Sequence, residues 1–223
     1  MSPTTRTPQS ARKPAAKAAR TRRPGAVWIA ASAVVAFALI AAVVATGAGE
    51  EKTAAGDAQV RPVTVTGAAL PASGGGTDAA VGTPAPELRG ASFDGTPVNV
   101  TRDGRAKLLL FAAHWCPHCQ REVPRIVEHL RDPPLPDGVD LVAVSTGTAK
   151  ERPNYPPSRW LDRIGWTGPV LADDAGGAAA TAYGLNGYPY FVAVDRAGNV
   201  VARTSGEIGA AELDRLARLA TGG

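Results

Sequence analysis

The chain has 223 residues and a formal net charge of +4 at pH 7, a length that suits one domain of ordinary size with additional segments. Residues 1–24 hold seven Lys and Arg and no acidic residue, so the remaining chain, with 20 acidic residues and the other 17 cations, carries −3. The basic pI therefore belongs to a tail and gives no ground for nucleic-acid binding. We expect residues 1–25, rich in Ser, Thr, Pro and Ala, to be disordered.

An uncharged apolar stretch follows the tail. Residues 26–46 read AVWIAASAVVAFALIAAVVAT, and 21 residues of helix span about 30 Å, the thickness of a bilayer core. Cations precede this stretch and Glu50 and Glu51 follow it, so the positive-inside rule places the N-terminus in the cytoplasm and everything after residue 50 outside. We expect a single-pass cell-membrane anchor over residues 26–48.

Two other interpretations of this N-terminal part stay open. A cleaved signal peptide would suit the small residues near Ala45 and Ala48, although its apolar core is usually shorter, about 7–15 residues. Arg22 and Arg23 invite a twin-arginine interpretation, but Pro24 follows them and the rest of that motif is not evident.

Residues 49–82 are rich in Gly, Ala, Thr and Pro and show no periodicity. This composition predicts a flexible linker, with at most a short strand near residues 60–65. We place a folded domain over residues 83–223. It begins with a hairpin, because residues 91–100 alternate around Asp94 and Gly95.

The rest of the domain alternates between strand and helix. The apolar runs 107–113 and 139–145 predict buried strands that a helical crossover makes parallel. Further predicted elements are a helix to about residue 131, helices over residues 156–164 and 173–184, a hairpin of strands 190–195 and 200–203, and a last helix over residues 210–220. The order predicts an α/β domain around a mixed sheet.

A Cys-x-x-Cys motif lies where the first buried strand meets its helix. Cys116 falls at the helix N-cap and Pro117 at the first helical position, where proline is favoured. The free N–H groups and positive dipole end of the helix, together with the His118 imidazole, would favour a Cys116 thiolate. A thiolate is the species that attacks a disulfide, so the motif predicts that Cys116 and Cys119 form a redox pair.

Other roles for the cysteine pair suit the sequence less well. A structural zinc site needs four ligands, and the chain has no third cysteine. A structural disulfide over two intervening residues closes almost no loop. The alternative from a different functional class is a copper(I) site, because His114, Cys116 and Cys119 could bind that thiolate-seeking ion. The redox interpretation requires no metal and no cofactor.

The residues Trp115-Cys116-Pro117-His118-Cys119 resemble the active site of thioredoxin-fold thiol–disulfide oxidoreductases. With Glu122 and Pro124 after the motif, they are most similar to the membrane-tethered TlpA/ResA branch, and the similarity extends over about residues 83–221. The resemblance implies a three-layer thioredoxin-like domain outside the membrane that exchanges disulfides with proteins. It also implies a reductase that obtains electrons from a membrane partner and serves cytochrome c maturation. The Pro-His dipeptide is instead typical of DsbA, a strong oxidant, so the direction stays open.

The same resemblance implies the rest of the site. Cys116 would attack, Cys119 would resolve the mixed disulfide, and His118 would assist. A cis peptide bond between Tyr188 and Pro189 would face the cysteines and pair with substrate, next to Trp115 and Pro117. Glu122 would act as a proton relay, with a solvated helix glutamate as the alternative. Copper carriers of this fold have a wider cysteine spacing and a distant histidine, and the threonine-based site of a peroxiredoxin is not recognisable.

Overall fold

We analysed a computed structural model that describes residues 58–74, 77–132 and 134–222. The predicted tail, the membrane anchor and the first part of the linker lie outside these residues. Within the described residues, no helix has the length and apolar character needed to span a bilayer.

Two sheets form the domain. A small antiparallel sheet contains β1 (Thr64–Thr66), β2 (Glu87–Ala91) and β3 (Pro97–Val100) in that order. The central sheet contains β4 (Ala106–Ala112), β5 (Val139–Ser145), β6 (Val170–Ala172), β7 (Tyr190–Val194) and β8 (Val200–Ser205), in the order β6-β5-β4-β7-β8. Strand β4 pairs in parallel with β5 and antiparallel with β7, so the sheet is mixed, as predicted.

Four helices complete the described part of the chain: α1 (Pro117–His129), α2 (Pro157–Arg163), α3 (Ala178–Ala182) and α4 (Gly209–Thr221). All seven residues of β4 are buried, and alternate side chains enter different cores. Leu108 and Leu110 pack with α1, α2 and α4, whereas Leu109 and Phe111 pack with α3 and the small sheet. The alternation follows from the two-residue period of a strand. It makes β4 the centre of a three-layer domain, with its carboxyl end at the cysteine motif.

The flexible linker predicted over residues 49–82 needs correction for its described part. Strand β1 pairs with β2, and Leu70 is only 6% exposed. The Arg203 guanidinium, fully buried, forms an ion pair with Asp78. The apolar side chains of this segment are too few to show a periodic pattern in the sequence, yet some of them are buried against the domain. These residues are therefore part of the fold.

Two further elements differ from the sequence prediction. Strand β6 is three residues long, too short to produce a recognisable pattern. The helix predicted over residues 173–184 is only the five-residue α3, because Asp173 and Asp174 lie before it and accept hydrogen bonds from the backbone N–H groups of Gly176 and of the first two residues of α3. Both differences lie away from the cysteine motif.

Candidate active site

Cys116 occupies the position predicted for it. It is the N-cap of α1 and Pro117 is the first helical residue. The Cys116 N–H donates to Ala113 O at 3.0 Å, and Cys116 O accepts from Gln120 N at 3.0 Å. These bonds fix the turn between β4 and α1, which leaves the side chain 6% exposed at the positive end of a 13-residue helix.

Cys119 lies one turn further along the same helix in a different environment. Its side chain is fully buried, and burial raises the pKa of its thiol well above the usual range, with a further contribution from the nearby Cys116 sulfur. Both cysteines are free thiols in this structure. The two cysteines are therefore close together but unequal, because Cys116 keeps a small exposure at the helix start whereas Cys119 has none and favours its proton.

The loop before β7 faces the cysteine motif. The Tyr188–Pro189 peptide bond is cis, as the family resemblance implies. The Cys116 thiol donates to Tyr188 O at 3.8 Å, so the sequence-distant halves of the predicted site meet in space. Pro189 is buried, whereas Tyr188 is partly exposed.

Trp115 links this loop to a third one. Its Nε1–H donates to Gly147 O at 2.8 Å, and its ring meets the Tyr188 ring edge-on with centroids 5.8 Å apart. The Arg152 guanidinium lies 4.8 Å above the Trp115 ring. A Cβ at position 147 would come within 2.8 Å of the Tyr188 hydroxyl, and Gly147 has a φ of +61°, so glycine permits this approach. Neither Gly147 nor Arg152 carried a sequence signal.

His118 has partners other than the expected sulfur atom. Its Nδ1 lies 2.8 Å from Glu207 Oε1 and 2.8 Å from Arg121 Nη2. Glu207 also accepts from Arg121 and from Arg125. No sequence pattern pointed to Glu207, 89 residues away, and the effect of the imidazole on Cys116 stays a prediction.

Glu122 is fully buried, which rules out the solvated helix glutamate considered above. Its Oε1 accepts from Ile208 N at 3.0 Å and from Gly209 N at 2.7 Å, so the carboxylate holds the start of α4. Its Oε2 is buried without a hydrogen-bond partner among the described residues and lies 3.9 Å from Arg125 Nη1.

Both ring nitrogens of the buried His114 are engaged. Nδ1 lies 2.7 Å from Pro153 O and Nε2 accepts from Ala149 N at 3.2 Å, so the proton of the neutral ring belongs on Nδ1. Burial lowers the pKa of this imidazole. Copper binding by His114, Cys116 and Cys119 would require His114 to break one of these bonds, so the arrangement disfavours that alternative.

The chain resembles proteins of known sequence over this domain. Residues 80–216 match the model of the family described as Redoxin. The thiol-disulfide oxidoreductase ResA of Geobacillus thermodenitrificans is 30% identical over 125 residues, which cover 56% of this chain and 68% of that protein. The ResA of Halalkalibacterium halodurans is 29% identical over 99 residues, which cover 44% of this chain and only about half, 53%, of that protein.

Solved structures agree on the fold. A DsbF homologue from Corynebacterium diphtheriae matches with a TM-score of 0.54 and 20% identity, over 67% of this chain and 98% of that one. At this identity the match concerns the thioredoxin-like fold alone. Because the family match covers more than half of the sequence, the chain belongs to the Redoxin family, as a TlpA/ResA-type thioredoxin-like protein.

Proposed function

We propose that the protein is a thiol–disulfide oxidoreductase that exchanges disulfides with protein substrates through Cys116 and Cys119. The observation that carries this proposal is the contact at 3.8 Å between the helix-capping Cys116, which is 6% exposed, and the carbonyl of Tyr188, beside the fully buried Cys119. A nucleophile, a resolving thiol and a backbone surface for a peptide are thus in one place. The ResA relatives carry the same activity in their names.

The reaction follows from the inequality of the two sulfur atoms. The Cys116 thiolate attacks one sulfur of a substrate disulfide, which forms a mixed disulfide and releases the other sulfur as a thiolate. The Cys119 thiol then loses its proton and attacks Cys116 Sγ. This step forms the Cys116–Cys119 disulfide and releases the second substrate thiolate, so two electrons pass from the protein to the substrate. Starting from the oxidised protein, the same steps run in reverse.

The second step needs a base near Cys119, since burial holds the proton on that thiol. Glu122 lies three residues further along α1, on the same buried face. Its Oε2 is the oxygen that has no hydrogen-bond partner among the described residues. Glu122 is therefore our candidate for the proton acceptor, while its Oε1 remains bound to α4.

The substrate would lie along the Tyr188–Pro189 loop. Tyr188 O faces the Cys116 sulfur, so a peptide in extended conformation can pair with this backbone while its cysteine meets Cys116. The aromatic pair of Trp115 and Tyr188 and the exposed Pro117 would form the surrounding contact surface.

We propose that the protein works as a reductase. The support is the ResA resemblance together with the partners of His118, since a ring that faces Glu207 offers less stabilisation to a Cys116 thiolate than a free one. A redox titration against glutathione tests this. A potential near that of thioredoxin, about −270 mV, is expected, and one near that of DsbA, about −120 mV, would assign the oxidant direction instead.

We also propose that residues 26–48 hold this domain on the outer face of the cell membrane, where a membrane partner supplies electrons for cytochrome c maturation. The support is the apolar stretch with its flanking charges and the resemblance to membrane-tethered proteins. Alkaline phosphatase fused after residue 223 should be active in cells, and an inactive fusion would contradict this orientation.

The activity itself is tested with the two cysteine variants of the full chain, in the dithiothreitol-dependent reduction of insulin. Cys116→Ser should lower the rate to that of the uncatalysed reaction. Cys119→Ser should instead accumulate a covalent mixed disulfide, since Cys116 can attack but nothing resolves the product. Full turnover by Cys116→Ser would contradict the proposal, and tight one-to-one copper(I) binding without disulfide exchange would favour the copper carrier.

A further inference from the structure

A carboxylate beside the active site competes with Cys116 for the cations of α1. Glu207 lies in the loop before α4, and its Oε1 lies 2.8 Å from His118 Nδ1 and 2.6 Å from Arg121 Nη2. Its Oε2 accepts from Arg125 Nη1 at 3.1 Å. Three basic side chains on one helix thus converge on one acid, which we call the Glu207 cluster.

Two members of the Glu207 cluster belong to the first turns of α1, whose N-cap is Cys116. His118 is in the first turn of α1, two residues after the N-cap cysteine. The guanidinium of Arg121 interacts favourably with the side chains of both Glu207 and Cys116, and Glu207 is the larger cause of the raised Arg121 pKa. In the same contacts, Arg121 first and then His118 lower the pKa of Glu207 to about 2, so its negative charge persists at all working pH values.

These contacts set up a competition between two anions for the same cations. A thiolate at Cys116 is stabilised by positive charge near the start of α1. The Glu207 carboxylate offsets that charge and holds the His118 ring by its Nδ1. We propose that Glu207 is a positioning residue that fixes His118 and Arg121 and offsets their positive charge beside Cys116, and thereby keeps the cysteine pair more reducing than a Cys-Pro-His-Cys motif would otherwise be.

This inference rests on the proposed redox function and explains how a motif typical of an oxidant can belong to a reductase. The reaction that measures it is balanced: the Cys116–Cys119 disulfide and two glutathione thiols give two protein thiols and one glutathione disulfide. Any change that stabilises the Cys116 thiolate favours the reduced protein and raises this equilibrium constant.

The variant Glu207→Gln removes the charge and keeps the shape, and its side chain can still accept from Arg121. Because His118 is 58% and Arg121 48% exposed, water screens their charges and the effect should be moderate. We expect the equilibrium constant with glutathione to rise by about three- to tenfold, where tenfold corresponds to about 30 mV. The pH midpoint of thiolate formation, followed by absorbance near 240 nm, should fall in parallel.

Two further variants test whether the charges of the Glu207 cluster cause the shift in the equilibrium constant. Glu212→Gln is the matched control, since Glu212 pairs with Arg215 on α4 and the variant makes the same charge change without touching the cluster. It should leave the equilibrium constant within about twofold of the parent value. Arg121→Gln should shift the constant in the opposite direction to Glu207→Gln, because it removes a cation from the same site. As Arg121 is an exposed surface side chain, this variant keeps the proposal testable even if Glu207→Gln fails to fold.

A protein that carries both His118→Ala and Arg121→Ala tests whether Glu207 acts on Cys116 through these two cations. Adding Glu207→Gln to this double background should change the equilibrium constant by less than about twofold, since His118 and Arg121 are gone and the one cation left on Glu207 is Arg125, the member of the cluster furthest along α1 from Cys116. An unchanged constant in Glu207→Gln alone, or a full effect in the double background, would overturn the inference. If no Cys116–Cys119 disulfide forms in the parent protein, the proposed function itself fails, and that result is distinct from an unshifted potential.

Discussion

Cys116 and Cys119 are chemically identical and three positions apart, so their different behaviour comes from their surroundings. The N-cap position places Cys116 where helix N–H groups face it, whereas Cys119 faces the core between β4, α1 and α4. The sequence predicts the capping position of Cys116, and the structure adds that Cys119 is fully buried. Each sulfur atom therefore has its own task in the proposed exchange.

His114, the buried residue before Trp115, makes stability depend on pH. The pKa of its ring is lowered by burial, so below about pH 6.5, the ordinary histidine value, the unfolded chain takes up a proton that the folded chain does not. The contribution of the neutral His114 ring to the free energy of unfolding is complete above that pH and is lost as the pH falls. We expect the free energy of unfolding in urea to decrease between pH 7 and pH 5.

The variant His114→Asn isolates this contribution. Asn can still donate to Pro153 O but does not titrate, so the decrease between pH 7 and pH 5 should be smaller than in the parent protein. Parallel pH profiles for the two proteins would show that His114 does not cause the decrease.

At the scale of the elements, one side chain joins α1 to α4. Glu122 extends from α1 and accepts hydrogen bonds from the backbone N–H groups of Ile208 and Gly209, which begin α4. A helix start leaves N–H groups without partners, and here a buried carboxylate from the neighbouring helix supplies the acceptor. Glu122 thus has a structural role in addition to the proposed proton transfer.

Removal of this acceptor should be costly. Glu122→Ala leaves two backbone N–H groups without a partner, and we expect the free energy of unfolding to fall by about 2–4 kcal/mol. Glu122→Gln keeps an acceptor oxygen and should lose only about 1 kcal/mol. Urea denaturation at pH 7 measures both, and an Ala variant as stable as the parent protein would refute the capping role.

At the scale of the whole molecule, the segment before the predicted domain is part of the fold. Asp78 lies in the expected linker, and Arg203 lies in β8 at the edge of the central sheet. Arg203 Nε donates to Asp78 Oδ2 at 2.8 Å, and its Nη1 donates to Pro71 O at 2.8 Å. A fully buried guanidinium thus receives two of its acceptors from Pro71 and Asp78, and Tyr183 O is a third at 3.1 Å.

The variant Asp78→Ala tests this attachment. It leaves the buried Arg203 without its counter-charge, and because Pro71 O remains as an acceptor we expect a loss near the lower end of about 3–5 kcal/mol. The control is Glu128→Gln, which removes the acid of an exposed pair with Arg131 and should change the free energy of unfolding by less than about 1 kcal/mol. If Asp78→Ala lowered the free energy of unfolding no more than Glu128→Gln does, the ion pair of Asp78 with Arg203 would contribute little to the fold.

The sequence predicted the features that depend on local pattern. The apolar run of β4, the capping position of Cys116 and the hairpin around Asp94 and Gly95 each carry a short-range physical signal. The family resemblance supplied the pairing of Cys116 with the Tyr188–Pro189 loop.

The sequence did not predict contacts between distant surface groups. Glu207 reaches His118 across 89 positions, and Asp78 reaches Arg203 across 125. Charged residues in loops have no period, so only the folded chain shows which of them meet. The attachment of residues 58–82 was missed for the same reason.

The most direct test of the central claim is the order in which the two cysteines react. The reduced full chain would be treated briefly with limiting iodoacetamide at pH 7, and the labelled peptides would be identified by mass spectrometry. Since only the thiolate reacts and Cys116 is 6% exposed whereas Cys119 is fully buried, we predict that the first label appears on Cys116 while Cys119 remains unmodified. Labelling of Cys119 first, or of both cysteines at the same rate, would contradict the assignment of attacking and resolving thiols.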